Sequence, residues 1–189
     1  MRRTPLGAAA LLAAGALGAL VGHGTQAALT SSTGAPGNVV SAGTVTLSDD
    51  DGGAATVSVA GGRPGDVVTG CVRVTSQGTL PTGAVLYGTA TGGLAAHITL
   101  RVTRGTQPDG ATGCTGFTAD AADHVGAGAG VVYDGPLTAL PATAAAGVAL
   151  PGVWSAGATH AYRVRVALGI DPAAQGLTAT ATLRWRASS

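Results

Sequence analysis

The chain has 189 residues, is 46% hydrophobic but only 3% aromatic, and carries ten basic against nine acidic residues, a formal net charge of +1. Every base is Arg and every acid is Asp, so Lys and Glu, both strong helix formers, are absent. This composition speaks against long surface helices, and the near balance of charge excludes the basic excess on which nucleic-acid binding usually depends.

Arg2 and Arg3 precede a charge-free apolar run from Leu6 to Gly22, and Thr25-Gln26-Ala27 follows it. That order predicts a secretory signal peptide cut between Ala27 and Ala28. An uncleaved membrane anchor fits less well. Pro5, the Ala/Gly-rich composition and a length short of the roughly 20 strongly apolar residues of a spanning helix all disfavour it. Residues 28–189 are then expected as one exported domain, nearly neutral and with no stable membrane anchor.

Val39 to Leu47 and Ala55 to Val59 are candidate strands. In the next, Val68, Val72 and Val74 are expected inside, with Cys71 and Arg73 on the outer face. Gly83 to Ala90 follows. Ile98, Leu100 and Val102 then alternate with outward Thr99, Arg101 and Thr103. Gly130 to Tyr133 is a further candidate, while the low-complexity stretch Ala139 to Pro151 reads as a loop or short helix. Tyr162, Val164, Val166 and Leu168 alternate with Arg163 and Arg165. The last strand runs inward through Leu177, Ala179, Ala181, Leu183 and Trp185, with Thr178, Thr180, Thr182, Arg184 and Arg186 outside. Turn signals at Gly61 to Asp66, Pro108-Asp109-Gly110, Asp134-Gly135-Pro136 and Gly169 to Pro172 separate these segments. About eight strands without a long helix point to an all-β antiparallel sandwich, jelly-roll or immunoglobulin-like.

Cys71 and Cys114 are the only cysteines. In an exported chain they are expected to pair, pinning the Cys114 loop onto the sheet and stabilising the fold by about 3 to 4 kcal/mol in the chain-entropy model. A reactive cysteine nucleophile is the minor reading, since no obvious activating cluster stands nearby.

Catalytic patterns are weak. A peptidase helix of the H-E-x-x-H type is ruled out by the missing Glu. His97, His124 and His160 stand in separate segments, so a three-His metal site has no spacing to support it. Asp120, Asp123 and His124 would share one face of a helical turn, as an acid/base pair or metal site requires, against the plainer reading of a solvated loop. Asp49-Asp50-Asp51 with Gly52-Gly53 has the carboxylates of a calcium loop without the EF-hand spacing, and reads as an acidic hairpin tip. Gly152 to Gly157 has one residue too many for a serine-hydrolase elbow. Gly126 to Gly130 lacks the strand and helix that would aim amides at a phosphate. Leu140-Pro141-Ala142-Thr143 is internal and not a wall-sorting signal. No catalytic residue, cofactor or metal ligand is therefore assigned.

Ala28-Leu29-Thr30, leading through Gly37-Asn38 to Ala42-Gly43-Thr44-Val45-Thr46-Leu47, resembles the mature start of the TasA/camelysin family. Arg63-Pro64-Gly65-Asp66 is similar to the family's P-G-D turn, and Thr75-Ser76-Gln77-Gly78-Thr79-Leu80 to its N-x-G-[ST]-L continuation. Trp154 to Tyr162 and Gln175-Gly176-Leu177-Thr178-Ala179 resemble its closing strands. The departures are Leu29 for an aromatic residue, Gln77 for Asn, Ala174 for Asn, and the two cysteines. The missing Lys and the Arg/Ala-rich usage fit a divergent member from a GC-rich, Gram-positive, actinobacterial-like source. The resemblance implies a jelly-roll domain, processing by a SipW-type signal peptidase, and an extracellular biofilm-matrix fibre built by self-assembly rather than an enzyme. In that reading residues Ala28 to Leu47, with Val39, Val45 and Leu47, form the donor segment that adds as a strand to a neighbouring copy. A monomeric secreted binding module using the Cys114 to Tyr133 loop, and a camelysin-like metalloendopeptidase, are the alternatives.

Overall fold

The structure is a computed structural model and describes residues 47–50 and 62–188. The expected signal peptide with its Ala27/Ala28 junction, Val39, Val45, Asp51 and the strand expected over Ala55 to Val59 lie outside the described residues. Nine strands occur among those described: β1 (Leu47–Asp49), β2 (Val67–Ser76), β3 (Thr82–Thr91), β4 (Ile98–Thr106), β5 (Thr118–Ala119), β6 (Val131–Pro136), β7 (Val148–Trp154), β8 (Thr159–Leu168) and β9 (Thr180–Ser188).

The strands make two antiparallel sheets. The larger runs β1-β2-β8-β4, with β5 and β6 both on the far edge of β4, and the smaller runs β7-β3-β9. The chain crosses from β2 to β3, returns at β4, crosses again at β7, and returns at β8, which inserts between β2 and β4. A late strand placed between two early ones gives a jelly-roll-like wrap. Among the described residues, the remaining regular structure is short 3₁₀ turns, and no helix is long and apolar enough to cross a membrane.

The period-two reading of β2, β4 and β8 matches their buried faces, and the strand expected over Gly83 to Ala90 is β3. Val72, Val74, Leu100, Val102 and Val164 from the large sheet meet Ala84, Leu86, Leu150 and Ala187 from the small one in a single core. Three expectations need correction. Ala139 to Pro151 is not wholly loop, because β7 begins at Val148; Pro151 is tolerated there because β7 is an edge strand that spares its missing N–H. The last strand starts at Thr180, not Leu177. The Leu177 amide instead donates to the Ala174 carbonyl in a turn, which leaves Leu177 exposed; Ala181, within β9, is exposed as well. Thr103 lies on the outer face yet is buried, since the chain around Gly130 folds over it.

Both Trp residues pack on one Tyr. Tyr162 of β8 stacks on Trp154 of β7 with centroids 6.4 Å apart and an interplanar angle of 13°, and meets Trp185 of β9 at 5.4 Å. Tyr162 and Trp154 are 0% exposed. Because β8 belongs to the large sheet while β7 and β9 form opposite edges of the small one, this trio ties the two layers together. Trp154 ends β7 with its side chain buried, and Trp185 stands opposite Leu86 in the register of β9 with β3.

The disulfide joins Cys71 on the outer face of β2 to Cys114, with Cα atoms 5.1 Å apart, and holds the 107–117 loop against the large sheet. The Gln107 side-chain amide donates to the carbonyls of Gly113 and Thr115, and Phe117 packs under the Arg163 guanidinium. A Cβ on Gly105 would run into the Thr118 carbonyl, so only glycine permits the approach that forms β5.

In urea denaturation, Tyr162→Ala is expected to lose about 3 to 5 kcal/mol by opening the junction of both layers. Tyr162→Phe is expected to stay within about 1 kcal/mol of the parent, because the hydroxyl has no hydrogen-bond partner among the described residues. Replacing both cysteines with Ser is expected to remove about 3 to 4 kcal/mol while preserving the strand signal in circular dichroism.

Candidate functional site

Two features of the sandwich are not explained by packing alone. The first is a groove along one side. β1 pairs only with β2 and β9 only with β3 among the described strands, so both present a free edge, and these edges approach each other. Between them is a cleft of about 140 Å³ lined by Leu47, Val74, Tyr87, Leu183 and Trp185, with Arg184 at its rim. Residues 183–187 of β9, on an edge that no other described strand pairs with, line it. Leu47 is 6% exposed and pairs with Ser76 of its own chain, so it forms one wall of the groove.

The second is a polar cluster at one end of the sandwich. Arg104 pairs in register with Tyr162 on β8 and therefore turns into the space between the sheets at the last core position of β4. Its Nε donates to Asp120 Oδ2 at 2.5 Å, and its Nη1 donates to the Pro151 carbonyl on the opposite sheet. His124 Nε2 lies 3.8 Å from the same Asp120 oxygen, too far for a hydrogen bond. His160 packs edge-on against Trp154 at 4.7 Å. Burial first, and then the Arg104 guanidinium, hold His160 below the ordinary imidazole range against the opposing pull of Asp120. Burial likewise pushes the Tyr162 phenol up.

The stretch holding Asp120, Asp123 and His124 is a loop, the plainer of its two readings, and forms no helical face. Asp120 turns to Arg104, whereas Asp123 accepts hydrogen bonds from the amides of Val125, Gly126, Ala127 and Gly128 at 2.8 to 3.2 Å. Desolvation raises the Asp123 carboxyl, but these four amides together outweigh it and lower its pKa. The glycine-rich stretch 126–130 thus begins with amides aimed at the chain's own carboxylate. His97 stands apart, 3.5 Å from Asp171. Asp49 belongs to β1, and Asp50 accepts from the Arg73 amide. Among the described residues, no three His, Cys or Asp side chains converge in a metal-binding group.

The sequence pattern alone does not single out Arg104 as the partner of Asp120, nor His160 as its neighbour at this end of the sandwich. The available signal was the alternation in β4, which extends from Val102 to place Arg104 on the core face. No family model matches the chain, and no curated protein matches it.

The depressed pKa of His160 fixes a direction. The unfolded chain takes up a proton near pH 6.5, before the folded one does, so stability present above that pH is lost as pH falls through the window just below it. The urea midpoint is expected to fall between pH 7 and pH 5, and His160→Gln is expected to flatten that slope. An unchanged slope in the variant would show that the cluster does not control it.

Proposed function

We propose that this chain is an exported structural protein that assembles head to tail, residues 28–46 of one copy adding as a strand to the groove between β1 and β9 of the next. A SipW-type peptidase would release that segment by cutting between Ala27 and Ala28. The function is mechanical, with no reaction assigned.

The observation that carries this reading is the nine-residue edge of β9, unpaired among the described strands, beside a cleft that Tyr87 and Trp185 line together with Leu47, Leu183 and charged neighbours. Unpaired strand edges are templates for another strand, whose backbone hydrogen bonds give affinity while alternate side chains fill the cleft. The segment ending at residue 46 supplies Val39 and Val45 at spacing suited to such filling, and it leads directly into β1. Leu47 pairs within its own chain, so the donor in this scheme stops one residue earlier. A donor from one copy and an acceptor on another form a heterologous contact, which propagates into filaments when its rotation does not close.

Negative-stain microscopy of the protein beginning at Ala28, with its disulfide intact, is expected to show filaments at raised concentration. Deleting residues 28–46 is expected to leave discrete monomers, and a peptide of residues 28–46 added in trans should bind the truncated protein without polymerising it. Filaments that persist after the deletion would overturn the proposal; monomers from the complete 28–189 chain at all concentrations would favour a secreted binding module.

A further inference from the structure

We propose that the outer face of the large sheet binds an acidic polysaccharide. Arg73 of β2, Arg101 of β4, and Arg163 and Arg165 of β8 all point to this face, half of the eight arginines that follow Ala27. The register sets Arg101 directly opposite Arg165 and Arg163 directly opposite Cys71. Like charges facing each other across a strand pair cost stability. Core packing on the other face gives no reason for them.

Among the described residues, only part of this charge is neutralised. Arg73 pairs with Asp109, and Arg101 pairs with Asp134 at 2.7 Å. Arg163 has no carboxylate among the described residues, its guanidinium lying 4.8 Å from the centre of the Phe117 ring. Arg165 is exposed and likewise has no carboxylate partner among them. Thr69, directly opposite Arg165, and Thr99 are exposed beside them and add hydroxyl groups. The 107–117 loop, clamped by Cys71–Cys114, seats both Asp109 and Phe117 and so fixes two of the four arginines.

The shape of the face selects the class of ligand. A flat sheet does not surround a small anion, so single contacts there are weak and binding needs several at once. Adjacent strands lie about 4.8 Å apart and alternate residues about 6.6 Å apart, which spreads the guanidinium forks at a similar pitch. Carboxylates repeated once per sugar along a flexible chain meet that pitch, and each fits a planar fork. Duplex nucleic acid carries a charge about every 1.7 Å and calls for a denser basic surface than two arginines without a carboxylate among the described residues.

The test is independent of assembly and uses the 28–189 protein, disulfide intact, at a concentration where it is monomeric. Binding to polygalacturonate is measured in low salt, with neutral dextran and single-stranded DNA in parallel. Arg163→Gln with Arg165→Gln is expected to weaken polygalacturonate binding about tenfold or more and to reduce its salt dependence. Arg184→Gln with Arg186→Gln removes the same charge from the opposite sheet and is expected to change binding less than threefold. Unchanged thermal midpoints establish that both variants are folded. Equal weakening by the two pairs, no binding by the parent, or tighter binding to DNA than to polygalacturonate would each overturn the proposal.

Discussion

Tyr162 between Trp154 and Trp185 is the contact on which the rest of this molecule depends. A chain with six aromatic residues in all commits both its Trp side chains and one of three Tyr to a single junction between layers. Elsewhere the core is Val, Leu, Ile and Ala, whose smaller side chains fill a thin space between sheets but reach across it less far. The position of Tyr162 follows from topology. Its strand, β8, is flanked on both sides in the large sheet, so the ring projects from the best-supported backbone in the fold.

From that junction the two ends of the aromatic trio lead to different surroundings. Trp154 leads to the polar end, where His160 packs against its ring and Arg104 bridges Asp120 to the opposite sheet. Arg104 closes the gap between layers with charge-assisted hydrogen bonds where the apolar core runs out. Trp185 leads to the open side, lining the cleft between the edges of β1 and β9. Among the described strands β9 has a sheet neighbour on only one flank, so packing there is one-sided. Closure at one end and an open edge at one side both follow from a small sheet that is three strands wide among the described residues.

Much of this architecture is legible in the sequence because strands with one wet face must alternate. Ile98 to Val102 and Tyr162 to Leu168 reveal their orientation directly, and Cys71 is correctly placed outside by the same parity. The pattern fails where a constraint other than one-sided burial governs. β7 is hidden by Ala, Gly and Pro151, residues that resemble a loop until edge position relieves proline of its donor. Leu177 continues the alternation of β9 but lies in a turn fixed by hydrogen bonds around Asp171 to Ala174. The polar cluster escapes detection for another reason. Proximity in sequence groups Asp120 with Asp123 and His124, whereas strand register brings in Arg104 and His160 from positions 16 residues before and 40 after Asp120.

The open edge of β9 is the feature that links fold to proposed role, and amide hydrogen exchange on the 28–189 protein tests it most directly. In dilute monomer, amides of β8 such as Tyr162 and Val164 should exchange slowest, while alternate amides along the outer edge of β9 exchange rapidly. After concentration into polymer, those β9 amides should become protected with β8 unchanged. Full protection of β9 already present in the monomer, or no gain of protection on assembly, would contradict an acceptor edge at this position.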